Sequence, residues 1–333
     1  MKLRGEKKRN YKKIVLWVLA GFLILVMILL TVTPFLVVHF ATAGHVDYGL
    51  DETHPMQKIY TPEYFDLHAE ALTLVTEDGL HIWASEIYTE NPKAVVIYLT
   101  GIRQPSVTYY YGHSKWMQEI GYASFLLEVR GHGQSEGDKV CLGYEEVKDV
   151  RALVEFIRGL ERYDDVPIVI QGVSMGGAIA INAFGEIPEI QGLIAASAYS
   201  SFEDVVCDVM AGLGIPQFLI NIERPLVRWA LELSFGKEAS ELTPIRQVEK
   251  IGTRPALLIA SGDDPEVPKE NMYRLLERAP DHCESWLRES EGVGHFILLD
   301  HEFENVALDT EYAARIRRFL EENIVKKPGE TGE

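Results

Sequence analysis

The chain has 333 residues, 47% of them hydrophobic and 25% charged, a composition that excludes disordered, collagen-like and disulfide-scaffold proteins. Its net charge is −18 although residues 1–13 hold seven Lys/Arg and one Glu, so the chain after residue 13 is strongly acidic. An acidic protein repels the phosphates of nucleic acids, which excludes a nucleic-acid partner. The three cysteines, Cys141, Cys207 and Cys283, show no metal-site spacing, so we expect free thiols and no metal.

An uncharged apolar run extends from Ile14 to Leu30 and continues with few polar residues to Phe40. A helix of about 20 residues crosses the roughly 30 Å hydrocarbon core of a bilayer, so we predict a transmembrane anchor over residues 14–38. Residues 1–13 are then a cytoplasmic basic tail, because Lys and Arg beside a span stay in the cytoplasm. We therefore expect a single-pass protein of the cell membrane with its remaining domain outside the cytoplasm.

A cleaved signal peptide is the alternative interpretation of the same segment. Ala41-Thr42-Ala43 matches a signal-peptidase site, and a basic stretch precedes signal peptides as well as anchors. The length of the apolar run favours retention, because the core of a signal peptide usually has about 7 to 15 residues. Both interpretations export the domain that follows.

The next segments contain a linker and the start of a folded domain. Residues 39–61 mix Gly, Pro and polar residues without periodicity, and we interpret them as a juxtamembrane linker. We expect one domain over residues 62–325 and a flexible tail over 326–333. The domain opens with two β-rich runs joined through Asp78-Gly79, a dipeptide typical of hairpin turns.

Short apolar runs then alternate with helical segments, of which residues 144–160 show the clearest three- and four-residue spacing. Apolar strands joined by helices predict an α/β fold, with a mostly parallel twisted sheet of about eight strands and helices on both faces. The predicted strands lie near residues 71–76, 80–88, 94–100, 123–129, 167–173, 193–198, 255–261 and 284–289.

Residues 199–250 interrupt this alternation. They contain helical runs rich in Phe, Leu, Ile and Trp and no clear strand. We predict a short helical lid insertion over the active edge of the sheet. A plain pair of packing helices is the alternative, because a single sequence reveals helices better than their placement.

Gly172-Val173-Ser174-Met175-Gly176 matches G-x-S-x-G, the motif that exposes a nucleophilic serine on a sharp turn between strand and helix. The motif follows a predicted buried strand and leads into a run of small residues, as that turn requires. A serine hydroxyl needs a base, and the base needs an orienting acid. Ser174 is therefore the candidate nucleophile.

His295 is the candidate base, since it lies between the last predicted strand and the last helix. Asp263 and Asp264 both follow the strand near residues 255–261, and either carboxylate is placed to orient a histidine there. The order serine, aspartate, histidine is that of α/β-hydrolases.

Four landmarks resemble α/β-hydrolases of the serine-aminopeptidase, monoacylglycerol-lipase and lysophospholipase-like group, over residues 70–322. They are Leu99-Thr100-Gly101-Ile102, Arg130-Gly131-His132-Gly133-Gln134-Ser135, the Ser174 turn, and Asp264-Pro265-Glu266-Val267-Pro268. The resemblance implies that Asp264 is the acid and that the backbone N–H groups of Met175 and Ile102 form the oxyanion hole. The resemblance also implies that the protein uses no cofactor and that His132 has a structural rather than a catalytic role. The sequence departs from the group at Thr100, where a histidine is usual, and at Ser261, where a glycine is usual.

These observations predict a membrane-anchored serine hydrolase that cleaves an ester through an acyl-enzyme intermediate. A small-molecule or lipid-like acyl substrate is expected, because the anchor keeps the site near a bilayer and the lid is apolar. Peptidase or acyltransferase activity on the same triad is the alternative, and a non-catalytic binding module on a hydrolase scaffold is a further one. The sequence leaves the oligomeric state open.

Overall fold

A computed structural model describes residues 2–47, 49, 54–299 and 302–325, with only the backbone described for residues 2–10 and 12. The tail expected at residues 326–333 lies outside the described residues.

Eight strands form one sheet in the order β1-β2-β4-β3-β5-β6-β7-β8. β1 and β2 pair antiparallel, β2 and β4 also pair antiparallel, and the other pairs are parallel. This confirms the predicted, mostly parallel sheet of about eight strands. The strands are β1 Glu70–Val75, β2 His81–Ile87, β3 Val95–Leu99, β4 Ala123–Leu127, β5 Ile168–Val173, β6 Ile190–Ala196, β7 Ala256–Ser261 and β8 Glu284–Arg288.

The helices lie on both faces of the sheet, as predicted. They are α1 Lys2–Thr42, α2 Tyr111–Glu119, α3 Val147–Arg158, α4 Met175–Glu186, α5 Phe202–Gly212, α6 Gln217–Phe235, α7 Pro244–Gln247, α8 Glu270–Leu276 and α9 Thr310–Asn323. Alternate residues of β3 enter two hydrophobic cores: Val95 and Ile97 join α3, α4 and α8, whereas Tyr98 joins α2 and α9. A strand buried on both faces must be apolar throughout, which is why β3 is a continuous apolar run.

The first hairpin turns where the Asp-Gly dipeptide predicts it. Gly79 has φ +87°, a conformation that costs glycine little because it lacks Cβ. The Thr76 N–H donates to the carbonyl of Leu80 at 3.0 Å, which closes the turn. The hairpin places β1 at the edge of the sheet, beyond β2.

α1 is a long apolar helix, and its segment Lys13–Thr42 is long and apolar enough to cross a membrane. Most of its large side chains are exposed, Trp17 by 76% and Leu16 by 66%. Its last turns contact the domain: Val38 and Thr42 are buried, and Phe35 lies edge-on to Trp229 of α6 at 5.1 Å between ring centroids.

Residues 42–46, within the expected linker, are hydrogen-bonded to the loop that follows β4. The Val46 N–H donates to the Gly131 carbonyl and the Gly133 N–H donates to the Val46 carbonyl, both at 2.8 Å. Ala43 pairs with Lys139 in an antiparallel bridge, and the Val140 N–H donates to the Thr42 carbonyl at 3.1 Å. The end of α1 is therefore fixed to the domain.

Candidate active site

Ser174 lies on a sharp turn between β5 and α4. Its backbone has φ 58° and ψ −124°, a conformation that is strained for a residue with a side chain. The turn requires the two flanking glycines: a Cβ on Gly172 would overlap the Gly176 carbonyl, and a Cβ on Gly176 would lie 2.5 Å from the carbonyl oxygens of Leu99 and Thr100. The strand and helix thus meet closely, and the Ser174 side chain lies at the carboxyl end of β5.

The backbones of Ser174 and His295 both bond to the end of β6, the neighbouring strand. The Ser174 N–H donates to the Ala196 carbonyl at 2.9 Å, and the Ser197 hydroxyl donates to the His295 carbonyl at 2.6 Å. Consecutive residues of one strand end therefore hold the candidate nucleophile and the candidate base. Among the described residues no hydrogen bond joins their side chains, and such bonds are often long in free hydrolases.

Asp264 contacts the histidine through both carboxylate oxygens. His295 Nδ1 lies 2.8 Å from Oδ2 and 3.0 Å from Oδ1. Oδ1 also accepts the backbone N–H groups of Glu266 and Val267, each at 2.9 Å. The neighbouring Asp263 instead accepts a hydrogen bond from Ser261, the residue at the unusual position noted above. Of the two alternatives, the structure brings only Asp264 to His295.

The Asp264–His295 pair is shielded from water, with 1% of the Asp264 side chain and 4% of the His295 side chain exposed. Burial by itself raises the pKa of Asp264, but the hydrogen bond and charge of His295, with the two backbone N–H groups, outweigh burial and lower the pKa. Asp264 is therefore held as an anion beside the imidazole ring.

The two N–H groups expected to form the oxyanion hole belong to Met175 and Ile102. Met175 is the first residue of α4, so its N–H has no partner within the helix and is directed toward the turn. The Ile102 carbonyl lies 3.0 Å from His132 Nε2, and the other ring nitrogen of His132 lies 3.2 Å from the Arg130 carbonyl. Burial lowers the pKa of His132, so the neutral ring is favoured. His132 thus ties the Ile102 loop to the loop that follows β4.

Thr100, at the position where the resembling group has a histidine, is buried and its hydroxyl lies 3.0 Å from the Tyr109 hydroxyl. This contact holds the start of the loop without a histidine. Gln104 packs on the same loop, since a Cβ on Gly101 would overlap its amide oxygen. The loop is therefore braced from inside the protein at Thr100 and at Gly101.

The sheet order, the serine turn and the histidine loop together agree with a known fold. An esterase structure from Pyrococcus furiosus superposes with a TM-score of 0.64 at 20% identity, covering 85% of this chain and 99% of that one. The chain has the α/β-hydrolase fold. Its residues 90–219 also match the family model described as serine aminopeptidase, S33.

Curated relatives of the chain are about 25% identical to it over the aligned residues. Rat acylamino-acid-releasing enzyme is 25% identical over 70% of this chain and 32% of its own length, and rat monoglyceride lipase is 25% identical over 55% of this chain and 69% of its own. The chain spans less than two thirds of the length of several of these relatives.

Two contacts of the site carry no signal in the sequence. Glu266 Oε2 lies 3.9 Å from His295 Nε2, the nitrogen that would exchange the proton with substrate, and its side chain is 63% exposed. Ser197, which holds the His295 loop, is a serine at the end of an apolar strand. Only the fold brings these residues to His295, so neither pattern nor spacing indicates them.

Proposed function

We propose that the hydrolase cleaves carboxylic esters through a covalent acyl-enzyme, with Ser174 as nucleophile, His295 as base and Asp264 as the orienting acid. The observation that carries the proposal is the buried bond between His295 Nδ1 and Asp264 at 2.8 Å, beside a serine on a strained turn. An imidazole held through Nδ1 presents Nε2 as the proton acceptor.

The chemistry then follows from these positions. Ser174 Oγ attacks the substrate carbonyl while its proton passes to His295 Nε2, and the imidazolium is stabilised by Asp264. The N–H groups of Met175 and Ile102 donate to the oxyanion, an effect worth about 3 to 4 kcal/mol per donor in a comparable hydrolase. His295 returns the proton to the leaving alcohol, and water releases the acyl group by the same steps in reverse order.

We further propose that α1 anchors the hydrolase in the cell membrane with its domain outside the cytoplasm and that its substrate is a small or lipid-like acyl ester. The charge asymmetry supports this topology: seven Lys/Arg precede Ile14, whereas Lys58 is the only one within residues 41–80. An esterase and a monoglyceride lipase among the similar proteins support ester cleavage.

A fluorophosphonate probe tests the nucleophile in the full-length protein in membranes. The wild type should be labelled and Ser174→Ala should not, whereas Ser240→Ala, at a partly exposed serine near the end of α6, should be labelled as the wild type is. Equal labelling of Ser174→Ala and wild type would refute the assignment. A series of esters of increasing acyl length, with peptide amides alongside, then separates esterase from peptidase activity.

A further inference from the structure

The outward side of α6 is a continuous apolar surface, here called the α6 stripe. The α6 stripe consists of Phe218, Ile222, Pro225, Trp229 and Leu233. These residues are four, three, four and four positions apart, which places them on one side of a helix. All of them are exposed, Phe218 by 65% and Leu233 by 63%. The opposite side of α6 is buried against the domain through residues such as Ile220, Val227 and Leu231.

The two arginines of α6 pair with acidic residues of α5 rather than extending over the stripe. Arg228 pairs with Glu203 at 2.9 Å, and Arg224 pairs with Asp204. α5 and the residue after it extend the apolar surface, because Val209 is 53% exposed and Leu213 is 76% exposed. Contiguous apolar surface of this kind marks an interaction site rather than a face adapted to water.

The α6 stripe is continuous with the apolar surface of α1. Trp229 lies edge-on to Phe35, within the segment of α1 long enough to cross a membrane. Phe235, at the end of α6, lies under the Lys139 ammonium at 5.0 Å, and Lys139 pairs with Ala43 just after α1. The carboxyl ends of α1 and α6 therefore both lie near Lys139. From that end, α6 extends along the apolar segment of α1, which Trp229 contacts through Phe35.

The same edge of the sheet carries the candidate active site. Ser174 follows the carboxyl end of β5, and α5 and α6 follow the carboxyl end of β6. The loop that holds residues 42–46 follows the carboxyl end of β4, which is parallel to β3 and, through it, to β5 and β6. The point of attachment to α1, the helices α5 and α6 and the catalytic residues thus lie at one edge.

We propose that the α6 stripe, with Val209 and Leu213, is seated in the extracytoplasmic leaflet of the bilayer, so that the active-site edge faces the membrane and receives an ester directly from the lipid. The proposal rests on the proposed anchoring by α1. An amphipathic helix of this type buries its apolar side about 5 to 10 Å into the boundary between headgroups and acyl chains. Its paired arginines remain compatible with that depth because each has an acidic partner.

Lipid quenching tests the depth of the stripe in the full-length protein. Cys283 is first replaced by serine, because it is the one cysteine whose thiol is partly exposed. A cysteine is then introduced at Ile222 or at Leu233, and an environment-sensitive fluorophore is attached to it. The protein is reconstituted in phosphatidylcholine vesicles with or without acyl-chain spin labels. Tyr88 is the matched control position, since it is apolar, 45% exposed and located between β2 and β3 at the opposite edge of the sheet.

The labels at Ile222 and Leu233 should show blue-shifted emission, strong quenching by the spin-labelled lipid and loss of quenching by aqueous iodide. The label at Tyr88 should show the reverse. Ile222→Asp should also lower the ratio of hydrolysis of a vesicle-borne ester to that of a water-soluble ester, and Tyr88→Asp should leave the ratio unchanged.

Quenching of the Ile222 label by iodide and not by lipid would overturn the proposal. Cross-linking between Ile222 cysteines of two chains without lipid quenching would also overturn it and would identify the stripe as a contact between copies. The same quenching measured in a Ser174→Ala protein separates this result from the proposed chemistry. Failure of the protein to float with the vesicles would refute both the anchor and the seated stripe, and would leave the role of Ser174 to its own test.

Discussion

Replacement of Asp264 by asparagine should strongly reduce catalysis by changing the tautomer of His295. Asp264 Oδ1 accepts two backbone N–H groups, from Glu266 and Val267, and so fixes which end of an asparagine amide carries the oxygen. The amide NH₂ would then replace Oδ2, which lies 2.8 Å from His295 Nδ1. Because an NH₂ group donates, Nδ1 becomes an acceptor and the proton moves to Nε2, where a base is needed.

The corresponding change in a serine protease lowers kcat by about 10⁴-fold, or roughly 5 kcal/mol, with its geometry intact. We expect a loss of similar size in Asp264→Asn, measured as kcat/KM on a water-soluble ester. Asp263→Asn is the matched control, because Asp263 accepts a hydrogen bond from Ser261, whereas the carboxylate that His295 Nδ1 contacts is that of Asp264. Activity of Asp264→Asn within about tenfold of wild type, or a larger loss in Asp263→Asn, would refute the reasoning.

Three further changes test other parts of the structure. Gly176→Ala places a methyl group 2.5 Å from two backbone carbonyl oxygens. It should lower the free energy of unfolding, measured in thermal melts, by about 1 to 3 kcal/mol or more. Gly212→Ala should leave the free energy of unfolding unchanged, because its methyl group meets nothing within 4 Å. His132→Ala frees the oxyanion loop and should lower kcat by up to about 10²-fold with little change in KM; an unchanged kcat would contradict this role. Burial raises the pKa of Glu146 to about 7, so the folded protein holds a proton that the unfolded chain loses above its ordinary pKa of 4.5. The free energy of unfolding should therefore fall by roughly 3 kcal/mol as pH rises through this window. Glu146→Gln should flatten that slope, measured in melts at about pH 5 and pH 8.

The strands β3 to β7 could be predicted from the sequence because they are buried on both faces. Each of the eight strands overlaps a predicted one, and the observed bounds differ by a few residues at the ends, as at β6, which begins at Ile190 rather than 193. The α3 helix shows its three- and four-residue spacing because one side of it packs on the sheet. Apolar periodicity reports burial, and burial is what a layered fold imposes on its elements.

The candidate triad was predictable only in part. The Ser174 turn has a local signature, since strand, turn and small-residue helix are adjacent in the chain. The residues themselves left Asp263 and Asp264 open, and only the resemblance to a family distinguished them, because both carboxylates follow the same strand. Which one reaches His295 depends on the path of a loop 31 residues away, which no local pattern encodes.

The contacts of residues 42–46 had no signal at all. The segment has no periodicity, and its partners are backbone groups of residues 131, 133 and 140, nearly a hundred positions along the chain. His45 illustrates the difficulty: its two ring nitrogens lie 2.9 Å from the carbonyl oxygens of Gly133 and Gly137. Hydrogen bonds to backbone leave no trace in the identity of the partner residues.

The attachment of residues 42–46 also sets an order of events during biogenesis. The peptide bond after Ala43 is where a signal peptidase would cut, and in the folded protein the carbonyl of the preceding Thr42 is bonded to Val140 while Ala43 pairs with Lys139. A protease requires a segment free of such bonds. Cleavage at this bond would therefore have to precede folding of the domain, because the folded protein holds the segment in these bonds.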